Sequence, residues 1–358
     1  MALFGTIAGA EPLRIATWAA PLSRDGPGLL LRDILRDEDP QLAAVYGVLA
    51  EVRPDILILT DFDWDLNGAA LAAFGAALRA RDLDYPYLFT ARPNAGLPSG
   101  LDLDANGRLG EARDGWGYGR FSGDGGLVIL GRYPLGDPPV ASLTDLLWAD
   151  LPGATLPVGA DGLPFPSAAA QAAQPLSSTA HWIVPVEVPG ARIDLMVWSA
   201  TPPVFDGPED ANGLRNRDEL RLWQAVLDGT LGPGLARVPE RFVIAGNANL
   251  DPVDGDGYSD AMAAFLADPR LTDPRPQSAG GLAAADAGQR GDPALDTADW
   301  PDAAPGNLRV SYVLPSAGLE VLGAGVFWPG PDDPKAALLG DDGLLAGPHR
   351  LVWVDILP

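Results

Sequence analysis

Residues 54–63 of this 358-residue chain read Pro54-Asp55-Ile56-Leu57-Ile58-Leu59-Thr60-Asp61-Phe62-Asp63. Four consecutive apolar residues predict a β-strand that is covered on both faces. The acidic residues that follow would lie at the carboxyl end of that strand, where α/β proteins commonly bind ligands. The alternative is a solvated loop in which Asp65 or Asn67 caps the next helix. The stretch therefore indicates a layered α/β fold, with Asp61 and Asp63 as candidate site residues.

Similar apolar runs occur on both sides of this stretch. They predict strands at residues 13–18, 55–60, 126–130, 182–188, 193–199, 242–245, 309–314 and 350–356. Helical spacing of apolar residues predicts helices at 39–52, 67–81 and 217–227. Strands and helices thus alternate along the chain, which favours β-sheets flanked by helices. Three long stretches rich in Gly, Pro, Ala and Asp, at about 92–124, 136–180 and 267–307, are predicted to be functional rims or packed loops.

Composition excludes several classes of chemistry. The chain has no cysteine and only two histidines, His181 and His349. Thiol nucleophiles, disulfides, cysteine zinc sites and multi-histidine metal centres are therefore excluded. The formal net charge of −24 disfavours nucleic acid as a partner, because phosphate contacts usually supply much of that affinity. The same charge suits a salty medium, in which screening weakens self-repulsion.

The sequence contains no apolar run near the roughly 18 residues that a membrane span needs. Residues 1–12 form a small, apolar N-terminal segment in which Ala8-Gly9-Ala10 is similar to the end of a secretory signal. Either this is the remnant of a signal peptide or it is an ordered N-terminal segment. Both interpretations remain open from the sequence.

Residues 102–107 read Asp102-Leu103-Asp104-Ala105-Asn106-Gly107, which matches the opening of a calcium-binding loop. Calcium needs several oxygen ligands, and glycine permits the sharp turn. The twelfth position holds Arg113, however, where a bidentate glutamate would be expected. Asp102, Asp104 and Asn106 are therefore candidate calcium ligands, and a turn stabilised by its own Asp and Asn side chains is the favoured alternative.

Two further segments carry candidate residues. Asn247 and Asn249 follow a predicted strand, and their amides can bind a phosphate or another substrate group, although neither amide carries charge. The alternative is a polar turn that satisfies backbone groups. His349 precedes the last predicted strand, and His181 precedes another; a lone histidine is more often structural than catalytic. The order of these segments along the chain is a stronger indication of function than either segment alone.

Seven ordered segments, at residues 14–19, 54–63, 96–104, 198–207, 245–249, 309–316 and 349–352, resemble motifs of the endonuclease/exonuclease/phosphatase superfamily, and of a bacterial, often exported branch in particular. The resemblance spans residues 13–355. It implies a deoxyribonuclease I-like fold: a four-layer α/β/β/α sandwich of two mixed sheets flanked by helices, forming one domain over residues 13–358. It also implies an exported protein, periplasmic or extracellular, with a cytoplasmic location as the alternative.

In active members of the superfamily a divalent cation and a histidine base hydrolyse phosphate esters, so the corresponding positions can be compared. The asparagine of the metal site after the first strand is replaced by Ala19. The metal-binding glutamate corresponds to Asp61, a shorter carboxylate, and Asp63 is a nearby second candidate. A catalytic histidine is replaced by Ala200.

The remaining positions lie in the last three motifs. The aspartate of the Gly-Asp-x-Asn motif corresponds to Asn247, while Asn249 is retained. The aspartate before Tyr-Val-Leu is replaced by Ser311, and the Asp-His pair appears as Pro348 and His349. Neutral groups are poor replacements for carboxylate ligands of a metal, and a catalytic histidine needs an orienting carboxylate.

These replacements predict a pseudoenzyme: a catalytically degenerate member that acts by binding or scaffolding, with a protein partner and inside a larger assembly. His349, Asn249 and Asn247 would then be vestiges of the catalytic site, and no cofactor is expected. The alternative is a divergent phosphoesterase that uses Asp61 and His349 with Mg²⁺ or Mn²⁺. Calcium at Asp102 and its neighbours is a separate hypothesis.

Overall fold

The computed structural model describes residues 11–136, 141–232, 234–302 and 304–358. Most of the N-terminal segment predicted as a signal remnant, residues 1–10, lies outside the described residues. Within the described residues, no helix combines the length and apolar character that crossing a membrane requires.

Eleven strands in the described residues form two mixed sheets. The strands are β1 (Leu13–Trp18), β2 (Ile56–Phe62), β3 (Tyr87–Thr90), β4 (Gly126–Gly131), β5 (Ala141–Ser142), β6 (Ala180–Val188), β7 (Ala191–Ser199), β8 (Phe242–Asn247), β9 (Ser311–Pro315), β10 (Glu320–Phe327) and β11 (Leu351–Leu357). The first sheet has the order β10-β11-β1-β2-β4-β3, and the second has the order β5-β6-β7-β8-β9. Strands β1 and β2 are parallel, as are β7 and β8, and the other neighbours are antiparallel.

Seven α-helices lie in the described residues, and five of them belong to the core clusters that cover the sheets. The seven are α1 (Leu29–Arg36), α2 (Pro40–Val52), α3 (Ala69–Arg79), α4 (Ala168–Gln171), α5 (Ala211–Leu227), α6 (Ser259–Leu266) and α7 (Ala279–Ala283). One core cluster joins both sheets to α1, α2 and α3, and a second joins the other face of the second sheet to α5 and α6. The predicted α/β fold with two mixed sheets flanked by helices is therefore confirmed.

Local chemistry explains where α2 and α3 begin. Pro40 occupies the first turn of α2, where its missing N–H costs nothing, and the Asp39 side chain accepts a hydrogen bond from the Leu42 N–H. Asp65 accepts hydrogen bonds from the backbone N–H groups of Ala69 and Ala70. Of the two predicted caps, it is Asp65 that holds the start of α3.

The long insertions are hydrogen-bonded segments with short elements of their own. Residues 136–180 contain β5, α4 and a 3₁₀ helix at Trp148–Asp150, and the buried Trp148 indole donates to Asp218 on α5. Residues 267–307 contain α7 and a 3₁₀ helix at Pro293–Leu295. The interpretation as packed loops fits both segments.

Candidate functional site

The ends of three neighbouring strands bring predicted site residues into one row. Ser199 of β7 lies opposite Asn247 of β8, and Asn247 lies opposite Ser311 of β9. Residues two positions away on these strands belong to the core cluster that joins the two sheets. Because side chains two apart along a strand share a face, the row faces the space between the sheets. The register thus places Asn247 beside Ser311, where the resemblance implies two aspartates.

The two asparagines after β8 are occupied by local hydrogen bonds. The Asn247 amide donates to Asn249 Oδ1 at 3.1 Å, and the Asn249 backbone N–H donates to Asn247 Oδ1 at 3.1 Å. The Asn249 side chain donates to the Ala200 carbonyl oxygen at 2.7 Å, and the Ala200 N–H donates to the Asn247 carbonyl oxygen. These bonds form a closed polar turn, which matches the polar-turn alternative for this segment.

Ser311 is enclosed by a segment of the third insertion. Its side chain is 1% exposed, and Oγ has no hydrogen-bond partner among the described residues. The backbone N–H groups of Val310 and Ser311 both donate to the Thr297 hydroxyl, at 2.8 and 3.0 Å. The Thr297 hydroxyl therefore satisfies two backbone N–H groups at the start of β9, next to the row.

Residues 296–300, which we name the strap, include Thr297 and run beside residues 348–350, just before β11. The Arg350 N–H donates to the Thr297 carbonyl oxygen at 2.8 Å, and the Asp299 N–H donates to the Pro348 carbonyl oxygen at 3.0 Å. Ala298 pairs with His349 through an antiparallel bridge, and Asp299 forms a 2.6 Å ion pair with Arg350. The strap is thus bonded to both sides of His349.

His349 lies between two tryptophans. The Trp300 ring meets its imidazole edge to face at a centroid distance of 5.1 Å, and the Trp18 indole donates to the His349 carbonyl oxygen at 2.9 Å. Nδ1 is shielded from solvent and has no hydrogen-bond partner among the described residues. Burial, and secondarily the charge of Arg350, lower the pKa of His349 to about 4. The imidazole is neutral at pH 7, and it lacks the orienting carboxylate that a catalytic histidine requires.

Asp61 lies near the carboxyl end of β2 in an unusual backbone conformation. Its φ is 71°, and the pairing of β2 with β4 shifts register between Thr60 and Phe62. Burial raises the pKa of Asp61 to about 7; a hydrogen bond from Ser23 opposes this, and the charge of Asp124 adds to it. A non-glycine residue at positive φ beside a strand irregularity is typical of functional sites.

Asp63 has structural partners. Its carboxylate accepts hydrogen bonds from the backbone N–H groups of Arg24 at 2.9 Å and Gly125 at 3.3 Å, and its side chain is buried. Burial raises the pKa of Asp63 to about 6, and the two backbone hydrogen bonds oppose that rise. This carboxylate holds two loops together.

A cavity of about 380 Å³ opens beside Asp61. Ala200, Thr201, Tyr118 and Arg120 are among the residues that line it. Two predicted positions, Asp61 and Ala200, therefore share one cavity. A second cavity of about 490 Å³ is lined by none of the predicted site residues.

A buried hydrogen-bond network lies behind this cavity. Glu219 of α5, which is 0% exposed, accepts hydrogen bonds from the Ser178 N–H and hydroxyl and from the Thr201 N–H, at 2.6 to 2.8 Å. His181 is buried beside it, with Nε2 3.2 Å from the Glu219 carbonyl oxygen. Burial raises the pKa of Glu219 to about 7, and the charge of Arg215 opposes this rise. The structural interpretation of His181 fits, and the signal for Glu219 was an acidic residue on the apolar face of a predicted helix.

The calcium-loop-like segment closes differently from the predicted twelve-residue loop. Asp114, one residue after Arg113, joins Asp102 and Asp104 so that one oxygen from each lies within 4.8 Å of the others. Asp102 accepts hydrogen bonds from the backbone N–H groups of Asn106 and Gly107, and the Asn106 amide donates to Asp104. The bond from Gly107 lowers the pKa of Asp102. These internal bonds fit the favoured alternative of an Asx-stabilised turn.

The side chains between the sheets do not provide the ligands for the divalent cation that the resemblance implies. Such a cation needs several anionic oxygens around one point. The row offers an amide and hydroxyls, and Asn247 and Asn249 bond each other. Within the described ranges, the only group of three carboxylates within 4.8 Å of one another is the one at Asp102, Asp104 and Asp114. The row therefore lacks the ligands that a metal-dependent catalytic step would need.

Comparisons with known proteins agree with the fold. A sequence model of the Endonuclease/Exonuclease/phosphatase family matches residues 29–347. An endonuclease/exonuclease/phosphatase from Beutenbergia cavernae is structurally similar, with a TM-score of 0.54 and 17% identity over 97% of this chain and 71% of that one. A family protein from Leptotrichia buccalis has a TM-score of 0.52 and 13% identity over 96% of this chain and 99% of that one. No curated protein matches the sequence.

Proposed function

The chain belongs to the endonuclease/exonuclease/phosphatase family, and we propose that it is a catalytically degenerate member that acts by binding instead of by phosphate-ester hydrolysis. One observation carries the proposal. Asn247 and Ser311 stand side by side on β8 and β9 where the family pattern has aspartates, and the Asn247 amide is engaged by Asn249. A neutral row cannot supply the anionic oxygens for the divalent cation on which family members typically depend.

The surroundings of His349 support the same proposal. A general base works best when its pKa is near the working pH, whereas burial lowers the pKa of His349 to about 4. Pro348 supplies neither a carboxylate nor an N–H donor. Trp300 lies against the imidazole, and the strap is hydrogen-bonded on both sides of it. The strap and Trp300 thus restrict the approach to His349, which is half-buried.

A second candidate function is a divergent metal-dependent phosphoesterase that uses Asp61 and His349. The observation in its favour is the position of Asp61 in a cavity of about 380 Å³ beside Ala200. Its ligands would have to come from groups other than the row. Magnesium or manganese would be the required cofactor in that case.

Hydrolysis assays separate the two candidates. The purified chain is incubated with Mg²⁺ or Mn²⁺ and with a chromogenic phosphodiester and phosphomonoester. We expect no turnover above the metal-only rate, because loss of even one member of a catalytic unit commonly costs about 10⁴ or more. Metal-dependent turnover that disappears in His349→Ala and Asp61→Asn, and persists in the exposed control Asp84→Asn, would overturn the proposal.

A protein partner and an exported location remain proposals drawn from the sequence. The charge of −24 makes nucleic acid an unfavourable partner. Co-purification of the tagged chain from its own host, followed by identification of bound proteins, tests the scaffold role. Recovery of the chain alone at every salt concentration would contradict a stable assembly.

A further inference from the structure

We propose that the cavity beside Asp61 binds a small organic ammonium compound that also carries hydroxyl groups. The inference rests on the proposed binding function and names its ligand class. Its starting point is the cavity itself, about 380 Å³ in volume, which lies within the range of small-molecule sites.

The cavity has negative charge to offer. Within the described part of the chain, no arginine or lysine side chain forms an ion pair with Asp61 within 4.0 Å. Arg120 is the guanidinium on the wall, and it is already bonded to Asp25 and Asp124. Arg24, the nearby cation on the other side, pairs with Asp33 and Asp39. A ligand cation would therefore give Asp61 a partner that these arginines do not supply.

Asp61 and its described acidic neighbours do not form the close group of three carboxylates that would indicate a metal site. Among the described residues, Asp61, Asp63 and Asp124 do not bring their oxygens within 4.8 Å of one another, whereas the loop at Asp102 does. A metal ion needs several close oxygens, but an ammonium group needs one carboxylate within hydrogen-bond reach. The remainder of an organic cation also fills volume that a metal ion would leave empty.

The other walls indicate the rest of the ligand. Ser23, Ser178, Thr179 and Thr201 line the cavity. The Ser178 hydroxyl donates to Glu219 and the Ser23 side chain is hydrogen-bonded to Asp61, so the hydroxyls of Thr179 and Thr201 are the ones left for a ligand. Glu219 fixes two of these residues, because it accepts hydrogen bonds from the backbone N–H groups of Ser178 and Thr201. A wall held in this way suits a polyhydroxylated ligand, since less conformational entropy is lost on binding.

Tyr118 completes the site at its mouth. Its ring lines the cavity and is 67% exposed, which is unusual for a large aromatic side chain. An aromatic face attracts a cation and also packs against the C–H face of a polyol. The three features together, one carboxylate outside the ion pairs, fixed hydroxyl-bearing residues and an exposed ring, favour an amino polyol over a phosphate ester.

Calorimetric titration with glucamine and sorbitol tests the inference, because the two differ only by a terminal amine in place of a hydroxyl. Measured in phosphate buffer at about pH 8, above the raised pKa of Asp61, glucamine is expected to bind at least about tenfold more tightly than sorbitol. Asp61→Asn should remove that preference, and the exposed control Asp84→Asn should retain it. Tyr118→Ala, which alters an exposed side chain, should weaken glucamine about threefold.

Equal binding of glucamine and sorbitol, absence of glucamine binding, or an unchanged preference in Asp61→Asn would each overturn the inference. These outcomes are separate from the hydrolysis assay. Failure of glucamine binding without metal-dependent turnover removes the ligand class and leaves the degenerate site. Metal-dependent turnover removes the proposed function whatever glucamine does.

Discussion

The residue at position 247 decides what the row between the sheets can hold. Asn247 offers one oxygen and one amide NH₂ group, and both bond to Asn249. An aspartate at the same position would offer only acceptors, and it would place charge beside Ser311 in a nearly dry space. Replacement of a carboxylate oxygen by an amide NH₂ group therefore converts a possible metal-ligand position into part of a hydrogen-bonded turn.

Restoring the aspartate is expected to destabilise the fold. Asn247→Asp removes the donor to Asn249 Oδ1 and buries an uncompensated charge, so the free energy of unfolding should fall by about 1–3 kcal/mol. Urea unfolding measures this, with the exposed Asn67→Asp as the matched control. An unchanged stability, or full recovery of it by Mg²⁺, would contradict the interpretation of the row as a closed polar turn.

Asp296 in the strap predicts a pH effect. Burial raises the pKa of Asp296 to about 7; Gln289 opposes this and the charge of Asp251 adds to it. The pKa of Asp296 is higher in the folded state than in the unfolded chain, so folding favours the protonated carboxyl. The contribution of Asp296 to the free energy of unfolding is therefore fully present below about pH 4 and is lost as the pH rises through about 7. Asp296→Asn should therefore stabilise the protein by about 2 kcal/mol near pH 8 and change little near pH 4.

Urea midpoints measured across this pH range test that expectation. The hydrogen bond from Gln289 remains available to the amide oxygen that Asp296→Asn introduces, so loss of that contact does not obscure the result. A variant that is less stable than the original chain near pH 8 would show that ionised Asp296 is compensated within the strap.

Sequence reasoning located the residues of the row but not their contacts. The identities of Asn247 and Ser311 in the row, and of Pro348 beside His349, were readable from the motif order, and their neutrality follows from their chemistry. The Asn247–Asn249 bonds depend on the turn after β8, and the enclosure of Ser311 depends on residues 296–300, which arrive from a separate insertion. Long-range packing of this kind has no local sequence signal.

At the scale of elements, backbone hydrogen bonds join the strap to residues 348–350, just before β11, and Trp300 is the side chain that lies against His349. Trp300→Ala should expose more of the half-buried His349 imidazole to water, so the pKa of His349 should rise from about 4 toward the ordinary value near 6.5. Nuclear magnetic resonance titration of the two histidines measures this directly.

His181 is the internal control in that titration. Its ring is buried under α5, and burial lowers its pKa to about 3. The Trp300→Ala change should leave it untouched. If His349 in the variant titrates as in the original chain, Trp300 does not shield the imidazole, and the strap does not close the site.

The elements found from sequence were those with apolar runs or with helical spacing of apolar residues. The run at residues 56–59 lies in β2, and the prediction of α2 at 39–52 differs from its observed range by one residue. Strand β10 was missed because it is half exposed, carries Gly323 and Gly325, and packs beside Trp353. Helix α1 was missed too, and the predicted α5 began six residues late, because polar residues fill its first turns.

At the scale of the whole molecule, acidic residues outnumber lysine and arginine by 48 to 24. The described arginines mostly form ion pairs with aspartates, which leaves many carboxylates without a partner and the net charge at −24. Exposed like charges repel over about 10 Å at moderate ionic strength. The charge is therefore a property of the surface and not of the row.

This charge predicts a salt dependence of stability. Raising sodium chloride from low to physiological concentration should raise the midpoint of thermal unfolding, because screening reduces repulsion in the compact state. The same series near the isoelectric point of about 4.2 is the control, since the net charge vanishes there. A midpoint that falls with salt near neutral pH would mean that the ion pairs outweigh the repulsion.

Binding of Mn²⁺, followed by the loss of the free-ion signal in electron paramagnetic resonance, tests the central claim most directly. We predict no tight binding that depends on Asp61 or His349, and we assign any weak binding to the loop at Asp102, so that Asp102→Asn removes it. One tightly bound ion per chain that is lost in Asp61→Asn and kept in Asp102→Asn would contradict the claim that the space between the sheets no longer holds a catalytic metal.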